Sequence, residues 1–154
     1  MAKLTGQEFI KNFIPSAKMR VYSHHKFRFR NVFSNVAADH IARPRNVGPL
    51  VGATHVGAGG IPGDGPYVRM WLVIENGQVL SASYECNGCP SSTVAGSMLT
   101  QVAIGREVER LETMTPQDLL TLVGGLPEGK GYYADLAVSA LLNALATPVK
   151  SKCN

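Results

Sequence analysis

The stretch that decides the fold is Tyr67-Val68-Arg69-Met70-Trp71-Leu72-Val73-Ile74-Glu75-Asn76-Gly77-Gln78-Val79-Leu80-Ser81-Ala82-Ser83-Tyr84-Glu85-Cys86. Val68, Met70, Leu72 and Ile74 alternate with Tyr67, Arg69, Trp71 and Val73, the period of a strand with one buried face. Asn76-Gly77 then predicts a two-residue hairpin, because a type I′ turn needs positive φ at both central positions. The return strand is expected over 78–86.

Downstream, Pro90 suits the first turn of a helix, where its missing N–H removes no helical hydrogen bond. That helix runs through Val94, Met98, Leu99 and Val102 and should stop at Gly105. Thr115-Pro116-Gln117-Asp118 reads as an N-cap followed by proline, opening a helix that ends at Gly124-Gly125. A last helix over about 133–146 carries Leu136, Leu141, Leu142 and Leu145. Upstream, the glycine-rich residues 48–66 read as a long loop, of the kind that often carries function. A helix is expected over 31–42, ending before Pro44. Residues 1–30 read as a basic extension with a short helix near 6–13, stopped by Pro15. The sum is an α+β domain over 31–148, with helices on one face of a small antiparallel sheet and a tail over 149–154.

The 154 residues suit one domain with a real core, and 45% hydrophobic with 17% charged residues is ordinary for a globular chain. No apolar run is long enough to span a bilayer. Lys11, Lys18 and Arg20 interrupt any signal-peptide core. Three cysteines make no disulfide framework, so the cytoplasm is the expected compartment, with an organelle transit peptide as the alternative. Residues 1–45 hold nine Lys/Arg against two acids, and the remainder six against nine. The run His24-His25-Lys26-Phe27-Arg28-Phe29-Arg30 could meet phosphates and bases, but a solvated face or a dock for an acidic partner explains it more simply.

Cys86-Asn87-Gly88-Cys89-Pro90 is the motif richest in chemistry. Two cysteines at this spacing can share a metal ion or form a redox pair. Cys89 stands where a helix begins, and the dipole and free N–H groups there favour a thiolate. A closed zinc or iron–sulfur site needs four ligands, and no second C-x-x-C exists. Two small residues bracketing a glycine turn are the simpler explanation. Cys153 falls in the tail. Gly57-Ala58-Gly59 fails as a dinucleotide fingerprint at Pro62, and Gly124 to Lys130 fails as a P-loop at Gly131. Of His24, His25, His40 and His55, only His55 lies near the candidate site loop. No Ser/His/Asp set or paired-carboxylate site can be assembled, so a catalyst is not expected.

Several short motifs occur in one order. They are Phe33-Ser34 with Asp39-His40, Pro44-Arg45-Asn46-Val47-Gly48, and Gly63-Asp64 before a strand. Asn87-Gly88-Cys89 then precedes a helix with Ser91, Ser92 and Ala95, and Leu126-Pro127-x-x-Lys130 precedes Leu136-Ala137. Together they resemble the NifU/IscU family of iron–sulfur cluster assembly scaffolds over roughly 32–146. The resemblance implies an α+β fold, a [2Fe–2S] cluster held on three cysteines, and an aspartate that tunes its release. Here Asp64 and Cys89 match, whereas Pro62 and Tyr133 stand at the other two cysteine positions and Tyr132 at that of a histidine. Cys86 could replace one ligand, and Tyr133 could bind ferric iron only as a phenolate. A cluster bridged by two thiolates from each of two copies would meet the count of four. The resemblance also implies a cysteine desulfurase and cluster acceptors as partners. Glu128 and Gly129 depart from the segment that an Hsp70-type chaperone reads in the family. A metal-free partner-binding module and a thiol redox or persulfide acceptor at Cys89 are the alternatives, and zinc is an alternative metal. If the Cys86 side chain faces the core, it loses value as a substitute ligand.

Overall fold

The structure is a computed structural model that describes residues 33–87 and 89–150. The expectations for residues 1–30 and for Cys153 lie outside the described residues. The chain folds as α1 (Asn35–Ala42), β1 (His55–Ile61), β2 (Asp64–Glu75), β3 (Gln78–Asn87), α2 (Pro90–Ala103), α3 (Val108–Leu111), α4 (Pro116–Val123) and α5 (Tyr132–Ala146). The three strands form an antiparallel meander in the order β1-β2-β3.

The hairpin forms where alternation and Asn76-Gly77 place it, with φ of 51° and 74° at those two residues. Val68, Met70 and Leu72 face the core, joined by Val79, Ala82 and Tyr84 from β3. Helix α2 lies against β3 and α5 against β1 and β2, with α2 and α5 packed on each other and α4 against both. Among the described residues, the helices that meet the sheet therefore share one of its faces. The opposite face carries an Arg69–Glu85 ion pair at 3.1 Å and Arg69 over the Trp71 ring.

Residues 48–66 are not a loop throughout: β1 occupies His55–Ile61, and β2 begins at Asp64. The glycines that argued for a loop are what let β1 lie against α5. A Cβ on Gly57 would sit 2.1 Å from the Ala144 backbone nitrogen, and one on Gly59 would sit 2.0 Å from the Leu136 carbonyl oxygen. Only glycine lets the two backbones come this close. The correction also moves His55. It lies at the hairpin end of the sheet, paired with Leu72 and bonded through Nδ1 to Thr54 Oγ1 at 2.8 Å, away from the cysteines.

Helix α1 starts at Asn35 rather than residue 31, because Ser34 caps it by accepting from the Ala37 N–H at 3.0 Å. Helix α4 has a full capping box between Thr115 and Asp118 and ends at left-handed Gly124. The four-residue α3 was not anticipated; at that length no hydrophobic period exists to be read.

Candidate functional site

The site is built where β3 hands over to α2. The register pairs Val68 with Cys86 and Tyr67 with Asn87, at the far end of the sheet from the hairpin turn. Asn87 donates from Nδ2 to the Gly65 carbonyl at 3.1 Å, so the turn carrying Asp64 hangs from the last residue of β3. Cys89 is the N-cap of α2 in an extended conformation (φ −91°, ψ 173°), with Pro90 following in the first turn. The Ser92 N–H donates to the Cys89 carbonyl at 3.0 Å, which closes the first turn.

Cys89 is half-buried and unpaired. Partial burial pushes its thiol pKa up, but donation from the Tyr133 hydroxyl and from Ser91 and Ser92 outweighs this. The net shift is downward, toward the thiolate. Tyr133 comes from the first turn of α5, is buried, and stacks on Tyr132 with ring centroids 4.2 Å apart. The contact with Tyr132, burial and the Cys89 thiolate, in that order, raise its pKa above the ordinary 10.0. Tyr133 is thereby held as a phenol that donates to sulfur, which works against its use as a phenolate ligand.

Cys86 lies on the core-facing row of β3, two residues beyond Tyr84, and is half-buried. The Ser92 hydroxyl lies 3.4 Å from its Sγ and 2.7 Å from the Cys89 carbonyl oxygen, and Thr93 Oγ1 stands 3.9 Å from the same thiol. The first turn of α2 therefore touches both cysteines. Asp64 is exposed at the start of β2. Among the described residues, no group of three or more His, Cys, Asp or Glu side chains is placed to hold a metal ion. The structure thus brings Cys89 to Tyr133 and Cys86 to the turn that Cys89 caps, and it does not gather Asp64 with the two thiols into one ligand set. The sequence named Tyr132 and Ser92 only through the resemblance, without these contacts, and did not single out Thr93. Ser92 offered a signal, since a hydroxyl three residues into a helix reaches back to the cap.

The remaining shared motifs are structural. Asp39 pairs with Arg43 at 2.8 Å and with Arg45. Partial burial opposes its ionisation, but hydrogen bonds from Arg45 and Arg43 prevail and hold its pKa below the usual carboxylate range. Buried His40 meets Ser97 Oγ through Nδ1 at 2.6 Å, and Ser97 Oγ accepts from the Arg45 N–H at 2.9 Å. Val47 forms a parallel bridge to Tyr84, flanked by Tyr84 N–H to Asn46 at 3.0 Å and Gly48 N–H to Tyr84 at 2.7 Å. Asp39 to Gly48 thus clasps α1 and the free edge of β3 to α2. Leu126 to Lys130 forms a turn closed by the Lys130 N–H on the Pro127 carbonyl at 2.9 Å.

The comparisons agree with this architecture. Residues 32–153 match the NifU-like N terminal domain family. The iron-sulfur cluster assembly scaffold protein IscU of Aquifex aeolicus is 30% identical over 111 residues, 71% of each chain. The scaffold protein IscU 1 of Archaeoglobus fulgidus is 29% identical over 114 residues, 74% of each. The nitrogen fixation protein NifU of Cereibacter sphaeroides is 37% identical over 110 residues, which are 71% of this chain but 45% of that protein. Among solved structures, the N-terminal part of a NifU-like protein from Brucella abortus superposes with a TM-score of 0.58 at 16% identity, covering 73% of this chain and 91% of that one. At that identity the superposition speaks for the fold alone.

Proposed function

This chain belongs to the NifU-like N-terminal domain family, and on that premise we propose that it is an iron–sulfur cluster assembly protein, a diverged scaffold or carrier working through Cys89. The observation that carries the reading is Cys89 itself, which the resemblance sets at one of the family's cysteine positions and which stands as the N-cap of α2 with its thiol drawn toward the thiolate. A cluster in assembly is cargo, so the chain needs soft ligands and a way to let go rather than a catalytic group.

One chain is short of ligands. Pro62 cannot bind iron, and Tyr133 is held as a phenol. Cys89 from each of two copies, with Cys86 turned outward from its core-facing row, would supply the four thiolates that a [2Fe–2S] cluster takes, with Asp64 at the rim modulating release. Zinc could take the same thiolates. A cysteine desulfurase and apo-protein acceptors are the partners this role requires. Recognition by an Hsp70-type chaperone is disfavoured, because the turn at Pro127–Lys130 would have to open before the segment could bind extended.

Anaerobic purification followed by reconstitution with ferrous iron and sulfide tests the reading. The expected result is a visible chromophore, acid-labile sulfide and a dimer, all lost in Cys89→Ser. A colourless monomer that retains neither iron nor zinc overturns it. That outcome favours a metal-free partner-binding module, for which the ungathered state of Asp64, Cys86 and Cys89 is the supporting observation.

A further inference from the structure

Two features of this chain belong together. The resemblance puts Pro62 and Tyr133 at two of the family's three cysteine positions, while Cys86 adds a thiol three residues before Cys89. A cysteine on a strand's core-facing row is poorly placed to reach outward for metal. It is well placed to meet a neighbour on the turn that covers it. Ser92 marks that meeting point, since its hydroxyl reaches both the Cys86 sulfur and the Cys89 carbonyl. Both cysteines are free and half-buried, and only two residues separate them.

We propose that Cys86 and Cys89 form a dithiol pair that reduces sulfane sulfur to sulfide, Cys89 accepting it from a persulfide and Cys86 resolving it. In the first step the Cys89 thiolate attacks the outer sulfur of a persulfide donor R–S–SH. The S–S bond of the donor breaks, R–S⁻ leaves, and Cys89 carries –S–SH. In the second step the Cys86 thiolate attacks Cys89 Sγ and expels HS⁻, leaving a Cys86–Cys89 disulfide. The two thiols together give up two electrons and two protons, and the sulfane sulfur takes up the two electrons. Attack at Cys89 Sγ expels hydrosulfide, whereas attack at the outer sulfur would only relay it to Cys86. An external dithiol returns the pair to its reduced state for another round. Tyr133 positions the acceptor sulfur through its hydroxyl and contributes no electrons.

The inference deepens the cluster-assembly reading, because sulfide is one of the two materials a cluster is made from. Its test is run without iron, so that the two readings can fail separately. All chains are full length and carry Cys153→Ser, which removes the remaining thiol. Reduced chain mixed with glutathione persulfide should release one sulfide per chain, and the peptide holding both cysteines should become two hydrogens lighter. Cys86→Ser should stop the sulfide release and leave one added sulfur on Cys89. Cys89→Ser should prevent both uptake and release. Retention of the added sulfur by the chain with both cysteines, its relay to Cys86 without sulfide, or undiminished release from Cys86→Ser would each overturn the proposal. Sulfide release from a chain that fails iron reconstitution would leave the pair standing and remove the scaffold reading alone.

Discussion

His40 is the residue where burial and protonation are most directly opposed. Its ring is held between Ser97 and the Asp39–Arg45 clasp, and loss of hydration, reinforced by the Arg45 charge against a smaller pull from Asp39, lowers its pKa from 6.5 to about 4. In the unfolded chain the ring takes a proton below its ordinary pKa, whereas in the folded chain it stays neutral until near pH 4. Between those values the unfolded state binds the extra proton, so stability is fully present at neutral pH and falls as the pH drops through this window. The shift corresponds to about 3 kcal/mol at most. Urea midpoints measured from pH 7 down to pH 4.5 should fall for the native chain and fall less for His40→Gln. Equal slopes would refute the assignment. Tyr133 allows a second test at this scale. Tyr133→Phe keeps the ring stack and removes the hydroxyl that favours the Cys89 thiolate. The pH midpoint for alkylation of Cys89, followed on its own peptide, should move upward, and reaction at neutral pH should slow several-fold. An unchanged midpoint would show that the α2 terminus alone sets this thiol.

At the scale of elements, β1 is held by what its side chains lack. Gly59→Ala would put a methyl group into the Leu136 carbonyl, with backbone on both sides and no flexible side chain to give way. The strand must lift from α5, at a cost of about 3 kcal/mol. A guanidinium midpoint lowered by less than a third of that would mean the strand accommodates the methyl. Thr115→Ala removes the hydroxyl that accepts from the Asp118 N–H and should cost about 1 kcal/mol by the same measurement. These two elements also show what was legible in sequence. Thr115-Pro116-Gln117-Asp118 and Asn76-Gly77 are local devices, complete within a few residues, and both formed as read. The β1 strand is a tertiary device. Its glycines make sense only once α5 is known to lie against them, and in sequence the same residues carry a loop's signature. The candidate site divides in the same way. Cys89 at a helix start was legible from Pro90, whereas the facing of Cys86 stayed open until the β2–β3 register fixed it. The approach of Tyr133 to Cys89, 44 positions away in the chain, depends on how α5 crosses the sheet, which no local pattern encodes.

For the whole molecule the open question is where the folded unit ends. Sequence composition suggested a tail from residue 149, but the chain after α5 does structural work up to that point. Pro148 bridges His55, the Val56 N–H donates to the Thr147 carbonyl at 3.3 Å, and the Val149 N–H donates to the Thr54 carbonyl at 2.7 Å. Residues 147–149 therefore act as a short second hydrogen-bonding partner for β1, along its otherwise free edge. An uncovered edge strand loses those hydrogen bonds and becomes a template for pairing with another chain. Both effects follow from the same three residues, so one pair of truncations separates them from the rest of the tail. A chain ending at Ala146 should lose about 2 kcal/mol, the net worth of two backbone hydrogen bonds and the packing that accompanies them. It should also associate with rising concentration in sedimentation. A chain ending at Lys150 keeps the strap and should match the full-length midpoint. If both truncations unfold at the full-length midpoint, the strap contributes nothing and β1 is held by α5 alone.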